Sequence, residues 1–419
     1  MIGKGSAENL LTHDDVRELC ETFVAREGLA GKRVLGIIPD HTRTAPIDGI
    51  FRTLSNRLSG GSGVFDLLIA LGTHPAMTDD AIDRRLGLAP GERAAKYSRT
   101  KIFNHAWDDP NQLRSVGILS ADQISSISGG LMNEPVNITI NKLVFDYDVV
   151  LIIGPTFPHE VVGFSGGNKY LFPGISGREI IDMFHWLGAL ITNPVIIGRK
   201  WTPVRKVVDA AAALLSVPRL CMSLVVKNNE LAGLYCGAPE KAWSAAADLS
   251  DKIHIIYKDK AFRSVLSCAP PMYDEMWVGG KCAYKLEPVV ADGGELLIYA
   301  PHIQEISVTH GRLIRKVGYH VRDYFTKQPV RYADIPKGVL AHSTHVKGIG
   351  TFENGVEHPR ITVTLATGIP EEICRAVNLG YRDPSTIDPI AWMGREAEGF
   401  LHVPKAGEIL YRLRHDPFA

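Results

Sequence analysis

The chain has 419 residues, of which 45% are apolar and 22% are charged, so it can bury a large core and form two domains. Its 46 basic and 46 acidic side chains cancel, which excludes the strong positive field that would attract nucleic acid or an anionic membrane surface. We therefore expect a small-molecule substrate, with no nucleic acid and no membrane among the partners.

The sequence predicts a protein of the cytoplasm. No stretch approaches the roughly 20 apolar residues needed to cross a bilayer, and the first residues lack the charged and then apolar pattern of an export signal. The 6 cysteines include no C-x-x-C pair, which argues against a disulfide framework and against a thiolate zinc site. Any metal would depend on histidine, carboxylate or a bound cofactor.

Apolar segments rich in Val and Ile alternate with helix-like segments, which predicts an α/β class of fold: two α/β domains with a cofactor and substrate cleft between them. Strands are predicted at 33–38, 65–71, 148–153, 253–257, 264–269, 295–299, 339–342 and 361–366, with a hairpin over 220–234 that turns at Asn228 and Asn229. Helices are predicted at 14–25, 178–191, 239–249, 275–290 and 371–378.

Two domains are expected from the point at which the strand and helix pattern restarts. We place the N-terminal domain, which would carry the cofactor, at residues 1–258, and the C-terminal domain, which would close over the substrate, at 259–399. The tail, 400–419, is expected to return to the N-terminal domain.

The first three predicted strands run directly into polar residues, in the segments PDHTR (39–43), GTH (72–74) and GPTFPH (154–159). Ligands of open α/β sheets bind outside the carboxyl ends of the strands. Three such endings on neighbouring parallel strands would converge on one crevice, which makes their histidines candidate site residues.

The segment from His159 to His185 is the richest in glycine and polar residues. Its glycines permit close backbone approach to a bulky or anionic ligand. It is not a P-loop, because Asn168 rather than glycine precedes Lys169. A lysine in such a loop can be a phosphate contact, a catalytic amine or a covalent anchor.

These motifs together resemble the lactate racemase family. The resemblance is carried by Asp40-x-Thr42-Arg43, Gly72-Thr73-His74, Pro158-His159, Gly163-Phe164-Ser165-Gly166-Gly167-x-Lys169 and His185. It covers most of the chain and is weakest in the last third. It implies an isomerase, a racemase or epimerase that inverts a 2-hydroxy acid.

The family's cofactor is a nickel-pincer nucleotide, a pyridinium-derived ring whose sulfur groups hold nickel. The resemblance implies that Lys169 forms the covalent link to it and that His185 ligates the metal, a reasonable role for imidazole. It further implies maturation proteins as partners, and cofactor contacts from Asp40, Thr42, Ser165, Gly166 and Gly167.

The mechanism that the resemblance implies removes the α-hydrogen as hydride while a base takes the hydroxyl proton. Inversion needs a base for each enantiomer, and imidazole suits both because its ordinary pKa lies near 6.5. By position, His74 and His159 match this pair. Arg43 would bind the substrate carboxylate, for which its planar fork is well shaped.

One departure from the family concerns the substrate. Lactate-active members carry Gln-x-x-Lys on the helix that opens the second domain, and this chain reads Val278-Gly279-Gly280-Lys281. Lys281 keeps the cationic contact, but Val278 can neither donate nor accept a hydrogen bond, and Trp277 beside it can reshape the pocket. The substrate therefore need not be lactate.

Two other interpretations stay open at this point. A zinc-dependent hydrolase or lyase would bind the metal directly through the same histidines, although no H-E-x-x-H spacing is present. A non-catalytic module that binds a sugar acid would keep the cleft without needing the bases. Assembly into a homo-oligomer is compatible with either.

Overall fold

The structure is a computed structural model and describes residues 1–418. The chain divides into two compact units. Unit 1 comprises Met1–Phe157, Phe164–Ile181 and Arg205–Ile253, and unit 2 comprises Pro158–Gly163, Asp182–Val204 and the described chain from His254 onward. The fold is of the α/β class, as predicted.

The strands are β1 (Ile2–Gly5), β2 (Arg33–Pro39), β3 (Val64–Ala70), β4 (Ile102–Asn104), β5 (Leu113–Leu119), β6 (Val136–Asn141), β7 (Val149–Pro155), β8 (Pro158–His159), β9 (Gly163–Phe164), β10 (Arg219–Lys227), β11 (Glu230–Gly237), β12 (Ile255–Lys258), β13 (Phe262–Cys268), β14 (Val290–Ala300), β15 (Gly350–Glu353), β16 (Val356–Pro359), β17 (Thr362–Thr367), β18 (Gly380–Tyr381), β19 (Phe400–Val403) and β20 (Leu410–Leu413). The α-helices are α1 (His13–Arg26), α2 (Asp48–Leu58), α3 (Asp79–Arg85), α4 (Glu92–Lys96), α5 (Ala121–Ser128), α6 (Arg178–Ile191), α7 (Asn193–Ile196), α8 (Pro203–Ala213), α9 (Pro239–His254), α10 (Met276–Gly279), α11 (Lys281–Tyr284), α12 (Gly311–Val317), α13 (Arg322–Thr326), α14 (Lys337–Lys347) and α15 (Glu371–Ala376).

Unit 1 is built on a seven-stranded sheet of order β1-β11-β10-β7-β2-β3-β4. Strands β10, β7, β2, β3 and β4 run parallel, and at one edge β11 pairs antiparallel with both β10 and β1. The prediction that three polar strand endings lie on neighbouring parallel strands is confirmed, because β7, β2 and β3 are adjacent.

Local sequence explains the elements around this sheet. A capping box joins Thr12 and Asp15 at the start of α1, and the helix buries Val16, Cys20 and Phe23. The predicted hairpin is confirmed as β10 and β11. Both residues of its turn, Asn228 and Asn229, have positive φ (53° and 68°), as a two-residue type I′ turn requires.

Unit 2 contains a five-stranded sheet of order β18-β17-β14-β13-β19, in which every pairing is parallel. Leu266, Leu297 and Ala366 form part of its core. A separate parallel pair joins β12 to β20, and β15 pairs with β16 in a hairpin.

The structure corrects the predicted course of the tail and of the domain boundary. The tail belongs to unit 2, because β19 pairs with β13 and β20 pairs with β12. Unit 2 also takes Pro158–Gly163, Asp182–Val204 and residues 254–258, which the sequence pattern places in the N-terminal domain. Periodicity identifies elements but not the sheet that an apolar strand joins.

Two predicted elements in unit 2 are wrong. Residues 339–342, predicted as a strand, lie within helix α14, all of whose residues from Val339 to Lys347 are buried. A short apolar run of this kind does not distinguish a strand from a buried helix. The single helix predicted over 275–290 is instead α10, α11 and a 3₁₀ turn at Glu287–Val289.

Across residues 1–418, helices with the length and apolar character needed to span a bilayer are absent.

Candidate functional site

Asp40 and His74, at the ends of the adjacent strands β2 and β3, contact each other. Oδ2 of Asp40 lies 2.5 Å from Nδ1 of His74, while Oδ1 accepts hydrogen bonds from the backbone N–H (3.0 Å) and the hydroxyl (2.7 Å) of Thr42. The Asp40 carboxylate is buried, and the His74 side chain is 27% exposed. Thus one carboxylate oxygen stabilises its own loop and the other orients an accessible imidazole.

The surroundings keep Asp40 ionised. Burial by itself would raise the pKa of this carboxyl group. The charge of protonated His74, hydrogen bonds from His74 and Thr42, and the nearby Arg43 guanidinium outweigh burial and hold the pKa of Asp40 below its ordinary value of 3.8. An anionic Asp40 accepts the Nδ1 proton of His74, so the tautomer that this contact favours has its lone pair on Nε2.

Arg85 fixes the loop that carries Asp40. Its guanidinium donates to the carbonyl oxygens of Pro39 (3.3 Å) and Ala45 (3.1 Å), at the two ends of the loop. Burial raises the pKa of Tyr170, although the charges of Arg43 and Arg85 oppose that effect. Arg43 therefore lies within electrostatic range of both Asp40 and Tyr170, as expected of a cation at this strand end.

The glycine-rich loop before Lys169 is fixed by hydrogen bonds to Ser165 and Asn168. The hydroxyl oxygen of Ser165 accepts a hydrogen bond from the backbone N–H of Phe157 (2.9 Å). The backbone carbonyl of Ser165 accepts one from the indole N–H of Trp243 (2.8 Å). The Asn168 amide donates to Asp209 (3.0 Å) and Glu240 (2.8 Å). The loop continues into a 3₁₀ turn, Gly167–Tyr170, so Lys169 starts from a rigid backbone.

Two buried polar atoms, one in this loop and one beside it, are not satisfied within residues 1–418. They are Oγ1 of Thr156 and Oδ1 of Asn168, in side chains that are 0% and 1% exposed. Buried polar groups are normally hydrogen-bonded to protein, water or ligand. The loop therefore has hydrogen-bonding capacity beside Lys169 for a polar ligand.

In unit 2, His159 and His185 both contact the ring of Phe184. The ring centroids of His159 and Phe184 are 6.4 Å apart, and those of Phe184 and His185 are 5.0 Å apart, both edge to face. Phe184 and His185 lie on α6, whose apolar face is buried. The structure thus brings together two of the predicted histidines.

His159 has two neighbours at Nδ1. This nitrogen accepts the backbone N–H of Val161 at 3.1 Å, and it lies 3.4 Å from Oε2 of Glu160. With Val161 as donor, the neutral ring carries its proton on Nε2. In this tautomer Nε2 of His159 carries the proton, whereas the contact with Asp40 favours the tautomer of His74 in which Nδ1 carries it.

The predicted substrate segment of unit 2 lies on α10 and α11. Val278 and Lys281 are buried, and Nζ of Lys281 lies 4.9 Å from the ring centroid of Tyr273. Trp277 is partly buried and stacks on His342, with ring centroids 3.8 Å apart and planes at 23°.

Sequence reasoning missed His342 and His345, because their segment was interpreted as a strand. The two histidines are three residues apart on α14 and both are buried. Residues with this spacing lie on the same face of a helix. A pair of histidines at helical spacing was the signal available.

The structure distributes the other predicted site residues between the units. Unit 1 holds Asp40, Thr42, Arg43, His74, Ser165, Gly166, Gly167 and Lys169, and unit 2 holds His159, His185, Trp277, Val278 and Lys281. Groups of three or more His, Cys, Asp or Glu side chains arranged to hold a metal ion are not found in the described chain.

Comparison with known proteins identifies the family. Residues 22–195 match the family model for the lactate racemase N-terminal domain. A crystal structure of a Thermotoga maritima protein superposes with a TM-score of 0.88 and 34% identity, covering 98% of this chain and 100% of that chain. The chain belongs to the lactate racemase family.

Two curated lactate racemases match at lower identity. The protein from Thermoanaerobacterium thermosaccharolyticum is 24% identical over 307 residues, which span 70% of this chain and 66% of the relative. The protein from Lactiplantibacillus plantarum is 27% identical over 192 residues, or 45% of this chain and 38% of the relative. The aligned parts thus cover less than two thirds of these relatives.

The lactate racemase fold extends over most of the chain. The lactate racemase apoprotein from T. thermosaccharolyticum superposes with a TM-score of 0.72 at 18% identity, covering 95% of this chain and 93% of that chain. At this identity the comparison concerns the fold alone.

The residues present fit the cofactor that the lactate racemase family implies. Lys169 has a primary amine of the kind that the covalent link requires, and it follows a loop held by the hydrogen bonds of Ser165 and Asn168. His185, half-buried on α6, has an imidazole of the kind that ligates nickel.

Proposed function

We propose that the protein is an isomerase that inverts the configuration at C2 of a 2-hydroxy acid, with a nickel-pincer nucleotide as its cofactor. The observation that carries this proposal is the contact between Asp40 and His74, 2.5 Å long. It supports the action of His74 as a base whose orientation and tautomer are set before substrate binds.

Lys169 would hold the cofactor covalently and His185 would ligate its nickel. The backbone of Ser165, Gly166 and Gly167, together with Thr156 and Asn168, would contact the rest of the nucleotide. When bound, the cofactor would supply the capacity to accept and to donate a hydride at C2 of the substrate. The protein residues supply orientation and proton transfer.

For one enantiomer, Nε2 of His74 accepts the hydroxyl proton as C2 becomes a keto carbon. The ring then becomes an imidazolium, and Asp40 stabilises its positive charge through the bond at Nδ1. In the inverted product the keto oxygen needs a proton, which the second imidazole donates. Each turnover thus consumes one proton acceptor and one proton donor, and the reverse reaction exchanges their roles.

His159 is proposed as that second imidazole. As an imidazolium, His159 would donate its Nε2 proton to the keto oxygen, while Glu160, 3.4 Å from Nδ1, would stabilise the positive charge. The neutral ring that remains would keep its other proton on Nδ1, beside Glu160, and could accept a proton at Nε2 in the reverse reaction. His159 therefore has a partner at Nδ1 in either protonation state of Nε2.

Two cations are proposed to bind the substrate. Arg43 would form parallel hydrogen bonds to the carboxylate, and Lys281 would add a second cationic contact. Trp277 and Val278 would bound the rest of the pocket. We further propose that maturation proteins supply the cofactor and that the protein works in the cytoplasm.

The proposal is tested with α-deuterated and unlabelled chiral 2-hydroxy acids. Inversion with retention of the α-deuterium is expected, because the hydride returns to the carbon that it left. Intact mass and metal analysis should show nickel and an adduct of a few hundred daltons on Lys169, absent from Lys169→Ala. Zinc on an unmodified chain, or inversion with loss of the label to solvent, would overturn the proposal.

A further inference from the structure

His342 is a buried histidine with one ring nitrogen satisfied and the other not. It lies on α14 and is 7% exposed. Its Nδ1 lies 2.9 Å from the hydroxyl of Tyr284, whereas Nε2 has no hydrogen-bond partner within residues 1–418. An unsatisfied buried polar atom is destabilising, so this nitrogen is expected to bind a group from outside the described chain.

His342 packs directly on the segment that carries Val278 and Lys281. Its ring stacks on Trp277, one residue before Val278. A Cβ added to Gly280 would lie 2.4 Å from the hydroxyl of Tyr284 and 3.1 Å from Cε1 of His342. At Gly280 the backbone is therefore so close to Tyr284 and His342 that only a residue without a side chain fits.

The pair of His342 and Tyr284 is neutral. Burial lowers the pKa of His342 well below its ordinary value, and the imidazoles of His345, His310 and His185 lower it further. Burial also raises the pKa of Tyr284 well above its ordinary value, so the hydroxyl keeps its proton. A positive charge that would attract a carboxylate is thus absent from this pair.

A neutral imidazole backed by a hydroxyl can present either hydrogen-bonding role. If the Tyr284 O–H donates to Nδ1, Nε2 carries a proton and donates. If the Tyr284 oxygen accepts from Nδ1–H, Nε2 has a lone pair and accepts. An alcohol group, which also donates and accepts, is the ligand group that matches both states.

We propose that Nε2 of His342 binds a second hydroxyl group on the carbon chain of the substrate, and so replaces the polar contact that is missing at Val278. The substrate class is then a 2-hydroxy acid that carries a further hydroxyl. This inference rests on the proposed inversion of 2-hydroxy acids and names the substrate that the same site selects.

Two variants distinguish the role of Nε2 of His342 from the role of Nδ1. In His342→Asn the amide can still reach Tyr284 but has no polar atom at the position of Nε2. In His342→Gln the longer amide has a polar atom near that position. Each is assayed for kcat/KM with 2-hydroxybutanoate, 2,3-dihydroxybutanoate and 2,4-dihydroxybutanoate, and thermal unfolding checks that the variants are folded.

The measured quantity is the ratio of kcat/KM for the better dihydroxy acid to that for 2-hydroxybutanoate. We expect His342→Asn to lower this ratio about 10- to 100-fold, as loss of one buried hydrogen bond predicts, and His342→Gln to restore most of it. A loss of folding or of general activity cancels in the ratio. An unchanged ratio in His342→Asn would mean that Nε2 binds only water, and would overturn the inference.

The two proposals fail in distinguishable ways. If inversion occurs but the ratio is unchanged, the role of His342 is wrong and the isomerase proposal stands. If no acid is inverted, calorimetry of the same three acids with the wild type and His342→Asn decides. Selective loss of affinity for a dihydroxy acid would support recognition by His342, and equal affinities would overturn it.

Discussion

Oδ2 of Asp40 lies 2.5 Å from Nδ1 of His74, across the ends of two adjacent parallel strands. The contact joins residues that are 34 positions apart in the chain. It sets both the direction of the imidazole ring and the nitrogen that carries its proton.

Asp40→Asn should lower kcat by about 10²- to 10⁴-fold and leave KM nearly unchanged. The amide N–H would donate to Nδ1 and move the ring proton to Nε2, so that His74 could no longer accept a proton there. Thr42→Val, which removes one hydrogen bond from the other carboxylate oxygen, should cost less. Steady-state kinetics at pH 7 check this, and equal losses in the two variants would contradict it.

His74→Asn and His159→Asn should each lower inversion by about 10²- to 10⁴-fold, because every turnover needs one imidazole to accept a proton and one to donate. His41→Asn is the matched control, since His41 is an exposed histidine in the Asp40 loop. Chiral chromatography of the product measures the rate. Retention of most activity in both variants would refute the two-base assignment.

Gly167→Ala should destabilise the protein more than Gly61→Ala. Both glycines have a φ of +58°, so a side chain meets the same unfavourable φ at either position. A Cβ at Gly167 would lie 2.8 Å from Cβ of Trp243, whereas a Cβ at Gly61 would meet nothing within 4 Å. We expect an additional loss of about 1–3 kcal/mol from overpacking, measured by urea unfolding. Equal losses would show that the loop moves freely against Trp243.

His105 should make stability fall as the pH is lowered below neutral. Nε2 donates to the Ser176 carbonyl at 3.0 Å and Nδ1 accepts from the Asn141 amide at 3.2 Å. Burial lowers the pKa of His105 from 6.5 to about 4, although the bond to Ser176 opposes this. The ring is therefore neutral in the folded protein over a range in which it is protonated in the unfolded chain.

Between these two pKa values the unfolded state binds more protons, so stability is complete above pH 6.5 and is lost as the pH falls toward 4. From pH 7.5 to pH 5 the wild type should lose about 2 kcal/mol more than His105→Gln. Denaturant unfolding at both pH values measures this. His13→Gln, at an exposed position of α1, is the control and should follow the wild type.

Much of unit 1 could be predicted from local sequence. Continuous Val and Ile runs such as the one in β2 are typical of buried parallel strands, and the polar residues that follow them mark the end of a sheet at which ligands bind. The turn at Asn228 and Asn229 has its own conformational signature. These predictions held because the governing interactions act within a few residues.

The tertiary structure alone decided which residues become partners. The sequence determined that β2 and β3 end in Asp40 and His74, but only the pairing of the strands made the carboxylate the partner of that imidazole. The tertiary structure also decided that β19 joins β13. It decided, too, that the apolar run beginning at Val339 forms a helix, which buries His342 against Trp277. Burial and long-range hydrogen bonds depend on which surfaces meet, and hydrophobic periodicity contains no information about that choice.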